Sequence, residues 1–157
     1  MSTAGKVLTR WKAEGINRFL GGLTPPTTST ACVVASGAFD PLHLGHIEHL
    51  EAASQLGPLL VVVNDDAFAK RKRLVDAFQP MPQSERCRVI AALACVTGVI
   101  PFKASSASDD TVAEALQKLR PAKFVCGGVW THLNVPEAEV CRELGIEIVD
   151  SVGGRRR

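Results

Sequence analysis

Residues 59–64 read LLVVVN, five apolar side chains in a row closed by an amide. A strand with one face in water alternates apolar and polar residues. An unbroken run of this kind belongs to a strand covered on both faces, as in a parallel sheet. Gly57-Pro58 ahead of it and Asp65-Asp66 behind it are turn formers that bound the run.

Similar short runs recur along the chain: ACVVAS (31–36), GVIPF (98–102), KFVCGG (123–128) and IEIVDS (146–151). Helical patterns lie between them. Residues 45–56 place Ile47, Leu50 and Leu56 on one side and end at Gly57-Pro58. SERCRVIAALACV (84–96) has Ser84 as its expected cap. SASDDTVAEALQKLR (106–120) opens with Ser and Asp at capping positions and carries Val112, Leu116 and Leu119 on one face. VPEAEVCRELG (135–145) has Pro136 in its first turn and Gly145 at its end. Strands alternating with helices of this length are βαβ units, which predicts an α/β fold: a doubly wound, parallel, five-stranded sheet with helices on both faces. In such sheets ligands bind beyond the carboxyl ends of the strands, where the winding reverses.

With 157 residues, 46% of them hydrophobic, the chain can bury a single-domain core. Residues 1–28 read as an extension: an approximate helical rhythm over residues 5–20, broken at Gly15, followed by the linker GGLTPPTTSTA. The main domain is expected over residues 29–157. The opening residues lack the apolar core of a secretory signal, and no apolar run reaches membrane-spanning length, so the expectation is a cytoplasmic protein without membrane contact. Five cysteines without a CxxC pair read as reduced structural thiols. A formal net charge of +2 argues against nucleic acid as a partner. Arg155, Arg156 and Arg157 are a local exception, read as a solvated tail before a nucleic-acid arm.

The polar residues of interest gather where strands end. Ser36-Gly37-Ala38-Phe39-Asp40 follows the first strand, and Gly37 lets the chain turn tightly while backbone N–H groups approach a phosphate. The helix beginning near Gly45 aims its free N–H groups at the same space. His43 and His46 flank that helix start. From spacing alone three readings stand: phosphate chemistry, satisfied core histidines, or metal ligation with His49 as a third ligand.

The segment GAFDPLHLGH (37–46) resembles the GxFDxxHxGH signature of the cytidylyltransferase-like nucleotidyltransferases, with the strand before it and the helix after it in place. The resemblance implies a Rossmann-like fold. It also implies that His43 and His46 hold and stabilise the α-phosphate of a nucleoside triphosphate, with Gly37, Ala38, Phe39, Asp40 and Gly45 lining the nucleotide. NDDAFAKRKR (64–73) resembles the glycerol-3-phosphate cytidylyltransferase and ADP-heptose synthase branch, which implies phosphate-facing roles for Lys70, Arg71 and Lys72, with Arg73 in the same run. Arg86 matches an arginine that supports the phosphates or the neighbouring loop. Gly127, Gly128, Trp130, Pro136 and Glu137 match the later part of the sugar-phosphate adenylyltransferase domain. Cys126 and Val129 depart from it, standing where a lysine and an aspartate are common, with His132 as a replacement polar group or a surface histidine. VGGRRR stands where a Ser/Thr-rich phosphate-binding segment usually follows.

By resemblance the reaction is in-line attack of an acceptor phosphate oxygen on the α-phosphorus of CTP or ATP, with Mg²⁺ on the triphosphate and pyrophosphate leaving. The acceptor is a sugar phosphate or a small alcohol phosphate. No dedicated protein metal ligands are expected. The extension is free to cap the sheet or to form a dimer contact, which leaves a homodimer open. Two other classes remain: a nucleotide-binding module without turnover, and a metal- or nucleic-acid-binding accessory protein.

Overall fold

The middle strand of the sheet is the first in the domain. In the computed structural model, which describes residues 6–7, 30–72, 81–128 and 130–153, β1 (Thr30–Gly37) pairs in parallel with both β2 (Leu59–Asn64) and β4 (Pro121–Val125). β3 (Gly98–Phe102) lies outside β2 and β5 (Glu147–Val149) outside β4. The order is therefore β3-β2-β1-β4-β5. The winding reverses between β1 and β4, which makes their carboxyl ends the place for a ligand. This is the expected α/β, Rossmann-like architecture.

The unbroken apolar runs are covered on both faces, as their composition requires. Along β2 all six residues are buried. Leu59, Val61 and Val63 join Val33 and Ala35 in one core with Leu50 and Ala53 of α1 (Leu44–Ser54) and Cys87 and Ile90 of α3 (Gln83–Ala91). Leu60 and Val62 join Cys32 and Val34 in the other, under Leu116 and Leu119 of α4 (Ala113–Leu119) and Cys141 of α5 (Ala138–Leu144). The period-two alternation thus sorts side chains between two helical layers. A short α2 (Asp66–Lys72) follows β2. All five cysteines are free thiols. Among the described residues no helix is long and apolar enough to cross a membrane.

Three helix starts differ from expectation. α3 begins at Gln83 behind Pro82, and Ser84 lies inside its first turn without capping it. The proline fixes φ there and lacks the N–H that would need a cap. α4 begins at Ala113, because the hydroxyls and carboxylates ahead of it close turns of their own: Asp109 Oδ1 accepts from both the backbone N–H and the hydroxyl of Thr111. Pro136 stands just before α5, behind Glu137 at the cap, while Gly145 ends that helix as expected.

Of the extension, Lys6 and Val7 are described. Where the rhythm predicts helix, Val7 forms a parallel bridge with Val99 on the outer side of β3, and Lys6 Nζ donates to Leu93 O at 3.4 Å. The rest of the expected helix and linker, Arg73, Val129 and the three terminal arginines lie outside the described residues.

Candidate active site

A cleft of about 1120 Å³ opens across the carboxyl ends of β1, β2 and β4. Its first wall is the turn after β1. Phe39 has φ 52° and turns its ring back under the strand end, where it is buried. A Cβ at Gly37 would stand 3.1 Å from that ring, so the glycine makes the close approach possible. The ring edge of Phe39 in turn meets His46 at 5.3 Å between centroids. Asp40 Oδ2 accepts from Met81 N at 3.0 Å, tying the turn to the segment before α3. The carboxylate therefore holds the loop in place.

His43 and His46 form the start of α1 together. His43 is the N-cap, and its Nδ1 accepts from Gly45 N at 3.1 Å. His46 Nδ1 reaches back to accept from His43 N at 3.3 Å. This is a capping box built from two imidazoles in place of the usual Ser/Thr and Glu/Gln. The rings stack, with centroids 3.8 Å apart and planes 25° from parallel. With each Nδ1 accepting from backbone, each Nε2 is left to carry the ring proton, and both residues line the cleft. Burial, with the charges of His43 and His49 adding to it, pushes the pKa of His46 down to about 4. His46 is a neutral hydrogen-bond donor at neutral pH.

His49 is turned to a different task. Its Nδ1 bonds Val152 O at 2.7 Å, fastening α1 to the segment after β5. Gly127 and Gly153 pack on the same residue: a Cβ at Gly127 would stand 2.9 Å from His49 Nδ1, and one at Gly153 2.5 Å from His49 Cα. The three histidines thus do not converge, and no group of three or more His, Cys, Asp or Glu among the described residues is placed to hold a metal ion.

Of the basic run, Lys72 lines the cleft, whereas Lys70 and Arg71 do not. Lys72 Nζ and Arg71 Nη2 both bond Asp110, at 3.3 and 2.8 Å, joining α2 to the loop after β3 and holding the Asp110 carboxyl below its usual range. Arg71 faces a smaller hollow of about 270 Å³ that shares Asn64 and Phe68 with the cleft.

Of the two tasks expected of Arg86, support of the phosphates or of the neighbouring loop, the structure shows the second and no place in the cleft lining for the first. Its side chain is fully buried and does not line the cleft. Its guanidinium donates to Met81 O, Ala38 O and Asn64 O at 2.7, 2.7 and 2.8 Å and pairs with Asp66 at 2.7 Å. The five-donor fork stitches together the loops after β1 and β2, a supporting task behind the site.

The third wall follows β4. Gly127, Gly128 and Trp130 line the cleft, and Trp130 is 46% exposed. Cys126 is buried beneath them, with Sγ 3.7 Å from Trp130 O, and burial, reinforced by the charges of Asp150 and Glu137, pushes its thiol up to about 11. The position common for lysine thus carries a neutral group. His132 is not among the residues lining the cleft and pairs with Asp150 at 2.6 Å.

Asn64 and Asp110 also line the cleft and were not among the expected site residues; Glu137, which the sequence matched to the adenylyltransferase domain, lines it too. Glu137 is buried, and its Oε1 accepts from Val112 N at 3.0 Å; burial raises its carboxyl pKa. A turn-forming asparagine and a helix-start glutamate look ordinary in a sequence. Only the strand end and the fold of α5 show that they meet at one opening.

Residues 34–145 match the model of the cytidylyltransferase-like family. The Bifunctional protein HldE of Streptomyces coelicolor is 41% identical over 119 residues, covering 74% of this chain and 24% of that protein. The Bifunctional protein HldE of Geobacter sulfurreducens is 38% identical over 125 residues, 78% and 22% respectively. The chain therefore spans about a quarter of the length of these relatives. The crystal structure of the lipopolysaccharide core biosynthesis protein from Thermoplasma volcanium GSS1 superposes with a TM-score of 0.60 at 26% identity, over 76% of this chain and 94% of that one.

Proposed function

The chain belongs to the cytidylyltransferase-like family of nucleotidyltransferases, and on that premise we propose that it transfers a nucleoside monophosphate from ATP or CTP to a sugar phosphate or small alcohol phosphate. The stacked histidine pair at the mouth of α1 is the observation that carries this reading. An acceptor phosphate oxygen attacks the α-phosphorus in line. The bond from that phosphorus to the oxygen bridging to the β-phosphate breaks, and pyrophosphate leaves with the electron pair. Charge growing on the non-bridging α-oxygens meets Nε2–H donors already fixed by the capping box, so little reorganisation is required. His46, neutral down to about pH 4, donates without giving up its proton.

Backbone N–H groups of the turn after β1 and the first turn of α1 add partial positive charge at the same place. Lys72, at the rim, neutralises pyrophosphate as it departs. Trp130 offers an exposed indole face for the base or sugar. Mg²⁺ would be held by the triphosphate's own oxygens and water, since the residues lining the cleft form no cage and Asp110 is engaged by two cations. It would supply charge neutralisation there. Free, buried thiols at Cys32, Cys87, Cys126 and Cys141 support a cytoplasmic setting.

Pyrophosphate release tests the reading, with Mg²⁺, ATP or CTP, and a panel of sugar and polyol phosphates. Release that depends on one acceptor supports transfer and names the substrates. A second reading, nucleotide binding without turnover, is favoured by the neutral Cys126 where a lysine is common. Tight nucleotide binding with no release from any pair would select it.

A further inference from the structure

The floor of the cleft contains a polar side chain with nothing to bond. Asn64 is only 5% exposed and lines the cleft, yet its side-chain amide has no hydrogen-bond partner among the described residues. Buried amides are nearly always bonded, and an unbonded one is costly to keep. Its backbone is held firmly: the carbonyl accepts from Arg86 Nη1 at 2.8 Å and the strand pairs with Phe102. The backbone that carries the amide is therefore fixed at the cleft, and the side chain is left to bond what enters there.

Its place in the fold says which ligand. By the alternation of β2, Asn64 shares the face of Leu60 and Val62, the layer of α4 and α5, whereas Phe39 and the His46 ring it supports belong to the layer of α1. The cleft thus has two arms. One has imidazole donors and helix N–H groups, suited to phosphate. The other has Asn64, buried Glu137 and apolar Val112 and Val135, with Lys72 at the rim. A phosphate oxygen only accepts hydrogen bonds. A carboxamide has two N–H donors and one carbonyl acceptor, and a hydroxyl both donates and accepts, so Asn64, with the Glu137 carboxyl lining the same cleft, complements hydroxyl groups.

We propose that Asn64, with Glu137, is the specificity-determining residue of the acceptor arm, reading hydroxyl groups on a polyhydroxylated acceptor. The inference rests on the transfer reading above. A site built to bond a hydroxyl rejects the analogue that lacks it, because its own polar groups are then left unpaired.

The test compares wild type with Asn64→Leu and the smaller Asn64→Ser on matched acceptors: glycerol 3-phosphate against 3-hydroxypropyl phosphate, and hexose 1-phosphates against their deoxy forms. Wild type should prefer the hydroxylated member by at least about tenfold in kcat/KM, and Asn64→Leu should bring that ratio close to one without altering KM for the nucleotide. Asn64→Leu should also raise the melting temperature of the free protein, since an unpaired amide is replaced by an apolar group. A lower melting temperature, or an undiminished preference in both variants, would overturn the inference. If wild type releases no pyrophosphate with any pair, the transfer reading fails on its own. The inference is then judged by NMR of the Asn64 side-chain amide, identified by its loss in Asn64→Leu. A shift on adding the hydroxylated but not the deoxy phosphate sustains it, and no shift rejects it.

Discussion

Arg86 donates from Nη1 to the carbonyl of Ala38 at 2.7 Å, across 48 residues of chain, so the loop after β1 is held from behind by α3. Removing this side chain would leave three carbonyls and the Asp66 carboxylate without their shared donor. Arg86→Ala should cost about 3 kcal/mol of stability, the low end for breaking a buried charged network because Asp66 can still meet water. Arg86→Lys, a point charge in place of a fork, should recover less than half of that. Urea denaturation measures both. A loss below about 1 kcal/mol in Arg86→Ala would mean the loops are held by other contacts.

His46→Asn separates the two tasks of the ring. An asparagine oxygen can occupy the place of Nδ1 and accept from His43 N, while nothing replaces the Nε2–H donor. Stability should change by less than about 1 kcal/mol, while kcat for pyrophosphate release falls roughly 10²- to 10³-fold. Equal loss of folding and rate would indicate that the ring acts only as a cap.

The same residue predicts a pH dependence. Unfolded, His46 takes a proton near pH 6.5; folded, it resists until about pH 4. The unfolded state binds more protons between those values, so stability is fully present above pH 6.5 and declines as pH falls towards 4. The contribution is about 1–2 kcal/mol after allowance for the ring's partial exposure. His46→Asn should flatten this part of a stability-versus-pH curve. A variant curve parallel to wild type from pH 6.5 to 4 would contradict the assignment.

Gly153 has φ 86° and sits where a methyl group would meet the backbone of Glu48 and His49. Gly153→Ala should therefore cost about 2 kcal/mol from left-handed strain and lost packing. It should also speed amide exchange in the first two turns of α1 as the His49–Val152 bond loosens. Thermal melts and exchange protection at wild-type level would refute the close approach.

Asp110→Asn releases Lys72 and Arg71 from their shared carboxylate. Both cations are at or near the cleft, so triphosphate affinity should rise about threefold at low salt and the gain should vanish at high salt. The melting temperature should hardly move, because the pair is exposed. Unchanged nucleotide affinity at every ionic strength would show that these cations do not reach the phosphates.

Strand positions were legible because burial on both faces demands apolar runs, and LLVVVN and GVIPF match β2 and β3 residue for residue. The segment from Gly37 to His46 stood out by its resemblance to the family signature, whereas spacing alone left three readings open. That the two imidazoles cap their own helix was not, since the capping signature is usually sought in hydroxyls and carboxylates. Arg86 was expected to support the phosphates or the neighbouring loop, and its full burial was not legible because charge in a sequence does not reveal it; three backbone carbonyls from separate segments solvate it. Asn64 was hidden for a related reason, and Glu137 was marked only by resemblance. Their sharing one cleft depends on β2 ending where α5 begins, a relation between segments more than 70 positions apart.

The bond from His49 to Val152 spans 103 residues, and Gly127 and Gly153 press on the same imidazole-bearing turn. The histidine motif is encoded early in the domain, but the helix that presents it is backed by the segments that follow β4 and β5, the last strands in the chain. A folding intermediate containing only β1 to β3 would carry the motif without this backing. On the proposed function, nucleotide affinity would report complete sheet assembly, and ligand-protected refolding should register β4 and β5 docking as the step at which binding first appears.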